Sequence, residues 1–256
     1  MGERKETRSG NRILVTKNGP YLVQGRVPLV RKTQVVSEHG EPLAWRKCGS
    51  VEVSEPYTLC RCGQSRRNPF CDGTHRLTQF DGSETADTGV TVDRQVVCPG
   101  GNHIRVRYDD YLCMDAGFCA NRLTSVRDLV PETADTSVRS QVIAMIERCP
   151  SGSLTYAIEE GEPDIEPDLP EQIAVVTEIA AEGPVAGPLW VTGGIPIERA
   201  DGLPFETRNR MTLCACGRAR SKPLCDGTHR PPHGDTQVAL DAERRPPGRG
   251  LRAGLR

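Results

Sequence analysis

One sixteen-residue pattern occurs twice in this chain and constrains the fold more than anything else in it. Residues 60–75 read CRCGQSRRNPFCDGTH and residues 214–229 read CACGRARSKPLCDGTH, agreeing at ten positions without a gap. The agreement extends outward through Thr58-Leu59 against Thr212-Leu213 and Arg76 against Arg230. A weaker echo lies upstream, GPYLVQGRVPL from Gly19 against GPLWVTGGIPI from Gly187. A recurrence of this reach is a repeated module, not a repeated motif. The first copy carries an insertion between the echo and the cysteines, including residues 37–56, and insertions of this kind are expected in loops.

Small modules suit the composition. With 256 residues but only 4% aromatics, several thin cores are expected in place of one deep core, and thin cores need covalent or metal staples. Eleven cysteines are available for that purpose. The opening MGERKETRSGNR has no apolar stretch of a secretory leader and no myristoylation signal, so a disulfide framework is not expected and the weight moves to metal or redox chemistry. A net charge of −1 argues against bulk attraction to nucleic acid or anionic membrane. The most apolar stretch, 173–191, is broken by Glu178 and Glu182, so no membrane span is expected and the chain is read as cytoplasmic.

Each copy supplies Cys-x-Cys-x8-Cys-x3-His: Cys60, Cys62, Cys71 and His75, then Cys214, Cys216, Cys225 and His229. Three thiolates and one imidazole make a tetrahedral set for zinc or the four protein ligands of a two-iron cluster, and spacing alone does not choose. Between the ligands, Asp72-Gly73 and Asp226-Gly227 are turn formers. Glycine lets backbone approach an inorganic core, and aspartate hydrogen-bonds nearby amides.

Short apolar alternation punctuated by Gly and Pro predicts small strands over 12–16, 21–23, 27–30, 189–191 and 195–197. Between the copies, 90–97 and 103–108 alternate likewise. Val138, Val142, Met145, Ile146 and Cys149 then fall at helical spacing behind an Asp135-Thr136 N-cap, predicting a helix over 137–148. A turn and strand follow in CPSGSLTYAI. Cys113 and Cys119 in one loop and Cys149 after the helix form a third thiolate set. Cys98 is a candidate outside ligand and Cys48 a weaker one, although a free thiol is the reading preferred for both. His39 and His103 read as surface or strand residues, Trp45 and Trp190 as module core.

At its repeated residues the chain resembles the CDGSH iron–sulfur family, the mitoNEET-like proteins. The first copy matches every fixed position, with Ser65 and Thr74 in the hydroxyl slots; Asp72, Gly73, Asp226, Gly227 and Thr228 complete the two loops. The resemblance implies a [2Fe-2S] cluster on each set of four ligands. Ala219 stands where the second copy would carry the hydroxyl, removing a group able to bond the cluster or its ligands, so the two clusters are expected to differ. Family members pair two modules as homodimers, which implies an intrachain pseudo-dimer and hence a monomer. Histidine ligation lets electron uptake couple to protonation and eases cluster release in acid.

The middle set resembles divergent single-cluster bacterial ferredoxins. Ala116 occupies the midway cysteine position, so the resemblance implies a [3Fe-4S] cluster, or a [4Fe-4S] cluster whose last iron takes water, Asp115 or another ligand.

The expected architecture is α+β, mostly β. A CDGSH module over 1–82, a ferredoxin-like α+β module over 86–160, an acidic linker over 161–171, a second CDGSH module over 172–234 and a basic, disordered tail over 235–256 follow in order. The expected function is one-electron transfer with a reductase or electron acceptor as partner, since no nucleophile–base set, Walker loop or dinucleotide fingerprint marks an enzyme. Cluster transfer to apo-acceptor proteins, redox sensing and a structural zinc module are the competing readings.

Overall fold

The computed structural model describes residues 10–230; the tail expected over 235–256 lies outside them. The first copy forms β1 (Arg12–Val15), β2 (Tyr21–Gln24), β3 (Leu29–Val36), β4 (Pro42–Val51) and β5 (Tyr57–Leu59), followed by a single helical turn, α1 (Thr74–Leu77). The middle region contributes α2 (Thr91–Arg94), β6 (Val96–Val97), β7 (Arg105–Tyr108), α3 (Val126–Leu129), α4 (Thr136–Glu147) and β8 (Leu154–Ala157). The second copy forms β9 (Gln172–Ala180), β10 (Gly183–Thr192), β11 (Ile197–Glu198) and β12 (Arg210–Leu213). The fold is α+β and mostly β, as expected.

The copies do not build separate sheets. One sheet runs β11-β1-β2-β5 and another β12-β10-β9-β3-β4, so each mixes strands of both copies. The exchange is reciprocal. β1 pairs in parallel with β11, Ile13 opposite Ile197, and β3 pairs in parallel with β9, Leu29 opposite Ile173. The amide of Ile13 donates to the Pro196 carbonyl and that of Ile173 to the Pro28 carbonyl, each at 2.9 Å. The alternating apolar residues therefore converge on one shared core containing Ile13, Tyr21, Val23, Leu59, Ile173, Val191, Ile197 and Leu213. Burying side chains of this size stabilises by roughly 1.5–3 kcal/mol each, and neither copy closes that core alone. The pseudo-dimer inferred by resemblance is thus present within the chain.

Two sequence expectations are corrected. The insertion at 37–56 is not a loop over its length: it contains the whole of β4, in a hairpin with β3. Most of its side chains are exposed, so no period-two apolar pattern announces it; β3, itself paired to the edge of β9, supplies its backbone partners. The alternation over 90–97 is likewise not one strand. Residues 91–94 make a helical turn, because the Glu206 carboxylate accepts from both the amide (3.1 Å) and hydroxyl (2.6 Å) of Thr91 and leaves Val92 exposed.

The middle region packs α4 on the sheet β6-β7-β8 around Val106, Val126, Val130, Val142 and Ile146. Asp135 caps α4 by accepting from Ser137 N at 2.7 Å and Val138 N at 3.4 Å, as its sequence position predicts. The acidic stretch after β8 is docked against its neighbours. Asp164 accepts from Thr155 at 2.6 Å, Glu166 pairs with Arg210 at 2.8 Å, and Thr192 donates to the Pro170 carbonyl at 2.6 Å. No helix among the described residues is long and apolar enough to cross a membrane.

Candidate metal centres

In the first copy, β5 runs directly into Cys60, whose amide donates to the Pro69 carbonyl at 2.7 Å, while Cys71 N returns to the Thr58 carbonyl at 3.1 Å. These bonds fold residues 60–71 into a loop with a cysteine at each end. Asp72 then accepts from Arg66 N at 2.9 Å and Thr74 N at 3.0 Å, and a hydrogen bond from the Thr74 side chain, with these amide bonds, holds its carboxyl well below the usual range. Gly73, at φ 87°, turns the chain into α1 and so carries His75 back over Cys71. The second copy repeats each bond. Cys214 N reaches the Pro223 carbonyl at 2.8 Å and Cys225 N the Thr212 carbonyl at 2.9 Å, while Asp226 accepts from Arg220 N at 2.8 Å and Thr228 N at 3.1 Å. Asp72, Thr74, Asp226 and Thr228 therefore shape the loops. The Ser65 hydroxyl does so too, donating to the Phe70 carbonyl at 2.6 Å, so the buried Ala219 removes a loop bond and not a bond to a ligand.

The donors stand in pairs. Cys60 and Cys62 place their sulfurs 3.8 Å apart, and Cys71 Sγ lies 3.3 Å from His75 Nδ1. In the second copy the separations are 3.7 Å for Cys214 and Cys216 and 3.4 Å for Cys225 and His229 Nδ1. Two thiolates on one tetrahedral metal lie ~3.8 Å apart, and a thiolate and an imidazole nitrogen ~3.5 Å. Each pair is therefore spaced to share one metal atom. Burial pushes the Cys225 thiol up to about 12, and the hydrogen bond between Cys214 and Cys216 raises the first and lowers the second to about 5. Binding a metal to such a set would require removing, and so release, the protons that burial holds on these thiols.

The two sites also touch. A β-carbon built on Gly63 would lie 2.6 Å from the carbonyl oxygen of Cys216, and one on Gly217 would lie 2.7 Å from that of Cys62. Both glycines have positive φ, 74° and 77°. Tyr21, fully buried on β2, adds an unequal link: its hydroxyl donates to the carbonyls of Cys214 at 2.8 Å and Pro223 at 3.2 Å. Leu189 holds the equivalent place in the second copy.

The surroundings of the two histidines differ as well. His229 Nε2 lies 2.9 Å from Glu178 Oε2, and both side chains are 3% exposed. Arg230 Nε meets the same oxygen at 2.8 Å, and its Nη1 donates to the Met114 carbonyl at 2.6 Å. His75 is half-buried and lines an open cavity of about 810 Å³ with Thr16, Asn18, Arg76 and Phe80.

The three middle thiols lie within electrostatic reach of one another. Burial raises the Cys113 thiol, and the nearby Asp115, Cys149 and Cys119 raise it further; Cys119 is raised by burial and by Cys149. The loop between Cys113 and Cys119 rests on the β3–β4 hairpin. Gln34 donates to the Ala116 carbonyl at 3.3 Å, and Phe118 packs against Trp45 with centroids 5.2 Å apart. Asp115, exposed and at φ 55°, lies beside Cys113, with Oδ1 3.4 Å from its sulfur. Cys149 is held by Arg210, a fully buried side chain on β12 that donates to the carbonyls of Ile146 (3.0 Å), Glu147 (2.9 Å) and Cys149 (2.8 Å) at the end of α4. Cys98 is buried in the core with Val106 and Val126, against which Cys119 also packs, and Cys48 is exposed on β4.

Sequence reasoning missed Tyr21, Glu178, Arg210 and Arg230. Glu178 has a legible signal, a carboxylate at an inward position of an otherwise apolar strand.

Comparison with protein families matches residues 18–76 and 186–230 to the iron-binding zinc finger CDGSH type, and residues 100–159 to the divergent 4Fe-4S mono-cluster type. No curated protein and no solved structure matches the chain. Paired donors on two matching loops, with three mutually influencing thiols between them in chain order, coincide with these assignments. The chain is an iron–sulfur cluster-binding protein of tandem CDGSH modules flanking a divergent mono-cluster insert.

Proposed function

We propose that the chain is a non-enzymatic, one-electron carrier of the cytoplasm. It holds one [2Fe-2S] cluster on Cys60, Cys62, Cys71 and His75 and another on Cys214, Cys216, Cys225 and His229. A third cluster, [3Fe-4S] or [4Fe-4S], is held by Cys113, Cys119 and Cys149, with Asp115 beside them. Bound clusters of these kinds supply reversible one-electron chemistry. The observation that carries the reading is the direct contact between sites: Gly63 and Gly217 seat the two CDGSH loops on each other, and the Met114 carbonyl lies against Gly227 and Arg230. The chain's own residues keep the donors paired, exclude water from the second site and leave the first open to a reductase or acceptor protein. The exposed face of His75 favours cluster delivery to an apo-acceptor as the second reading.

The test is iron and acid-labile sulfide analysis of anaerobically purified protein, with absorption and EPR spectra before and after reduction. Iron and sulfide in excess of two [2Fe-2S] clusters, with reversible reduction and reoxidation by a one-electron donor and acceptor, is the expected result. Colourless protein with two zinc ions and no sulfide would replace the reading with a structural zinc module. Clusters that form but do not cycle would leave cluster delivery standing.

A further inference from the structure

The two CDGSH sites share one loop design but sit under different hairpins. β1 and β2 are joined by a tight turn, with Thr16 N donating to the Pro20 carbonyl at 3.1 Å. The equivalent strands, β9 and β10, stay paired out to Ala180 and Gly183 before they turn. Since Ile13 and Ile173 occupy equivalent places in the strand exchange, Glu178 falls where the first copy has Asn18, already in its turn. The longer hairpin thus carries a carboxylate over His229, and the shorter one leaves His75 facing its cavity.

Counterpart by counterpart the difference persists. Glu178 Oε2 takes His229 Nε2 at 2.9 Å and Arg230 Nε at 2.8 Å, and Arg230 continues to the Met114 carbonyl of the insert at 2.6 Å. His75 Nε2 has no hydrogen-bond partner and Arg76 no carboxylate among the described residues. With Nε2–H donating to a buried carboxylate, Nδ1 of His229 is left with its lone pair toward Cys225 and its ring cannot swing. An outer partner of this kind fixes ring orientation and tautomer, and its loss typically lowers metal affinity by roughly 10–100-fold.

We propose that Glu178 and Arg230 are positioning residues that lock His229 onto its metal, so that the second CDGSH site retains its cluster while the first is the site that yields its cluster to competing ligands. This rests on the reading that each site holds a [2Fe-2S] cluster.

The experiment begins with the full chain, iron and sulfide counted, exposed at one fixed pH to excess bathophenanthroline and EDTA while absorption and the EPR of reduced aliquots are followed. Loss of the two CDGSH clusters is expected in two phases, the first about 10–100 times faster. Cys60→Ser with Cys62→Ser should leave only the slow phase, and Cys214→Ser with Cys216→Ser only the fast one. Glu178→Ala should bring the slow phase up to the fast, whereas Glu178→Gln, which keeps an acceptor for Nε2–H, should preserve most of the difference. If Glu178→Ala does not fold, Arg230→Ala, at a partly exposed side chain, should still accelerate the slow phase several-fold. Loss in one phase from a doubly loaded chain, a fast phase belonging to the second site, or a slow phase unmoved in folded Glu178→Ala or in Arg230→Ala would each overturn the inference alone. Absence of sulfide from both sites would instead overturn the underlying reading and the inference with it.

Discussion

Gly63 of the first module lies so close to Cys216 of the second that an added β-carbon would stand 2.6 Å from the Cys216 carbonyl oxygen. Its φ of 74° also disfavours any side chain, by about 1–2 kcal/mol. Alanine at 63 is therefore expected to destabilise the chain by at least that much and to disturb the opposite site. In a chain whose first site is emptied by Cys60→Ser and Cys62→Ser, adding Gly63→Ala should alter the EPR spectrum of the remaining CDGSH cluster. An unchanged spectrum would count against the contact.

Tyr21 gives the same cross-module dependence through a hydrogen bond. Tyr21→Phe keeps the buried ring but leaves the Cys214 and Pro223 carbonyls without its hydroxyl, an expected loss of about 1 kcal/mol in urea unfolding. Chelator-driven iron loss should accelerate at the second site and not at the first, although residue 21 belongs to the first module.

Arg210 joins β12 to the insert. Arg210→Met would strand the Glu166 carboxylate and the carbonyls that end α4, at an expected penalty of about 3–5 kcal/mol. Because one of those carbonyls is that of Cys149, the iron of the middle centre should be lost before that of the CDGSH sites. Iron, sulfide and EPR of the three centres decide the order.

Cys48 is the exposed cysteine among the described residues, and its hydrogen bond with the Thr33 hydroxyl at 3.3 Å lowers its thiol pKa. Alkylation follows the thiolate, so its rate rises with pH through that lowered value. Iodoacetamide at neutral pH should label Cys48 ahead of the other cysteines. Thr33→Val should slow labelling several-fold and move the pH profile up toward the ordinary thiol range, the difference vanishing above it. Mass spectrometry of tryptic peptides reads both effects.

The donors were legible because their geometry is local: Cys60, Cys71 and His75 are placed by bonds that span a few residues, and the same residues recur around Cys214. The helix behind Asp135 was legible for the same reason, since its cap and its apolar face lie in one short segment. What sequence left out depends on distant partners. β4 exists because β3 extends the edge of β9, and the turn at Thr91 exists because Glu206 arrives from far along the chain. The inequivalence of the two sites was expected from Ala219, but Ser65 bonds its own loop, and the larger difference is Glu178 over His229.

The reciprocal strand exchange sets a timetable for synthesis. Ile13 finds its parallel partner only at Ile197, and Leu29 finds its own at Ile173. At roughly 5–20 residues per second, those partners leave the ribosome roughly 5–25 s after the first loop of cysteines. Through that interval Cys60, Cys62 and Cys71 are made without the wall that the second copy provides, and the insert with its own four cysteines emerges before the wall does. A ribosome stalled before Ile173 would hold a chain with eight of its eleven cysteines already made and with the core shared by the two copies still open.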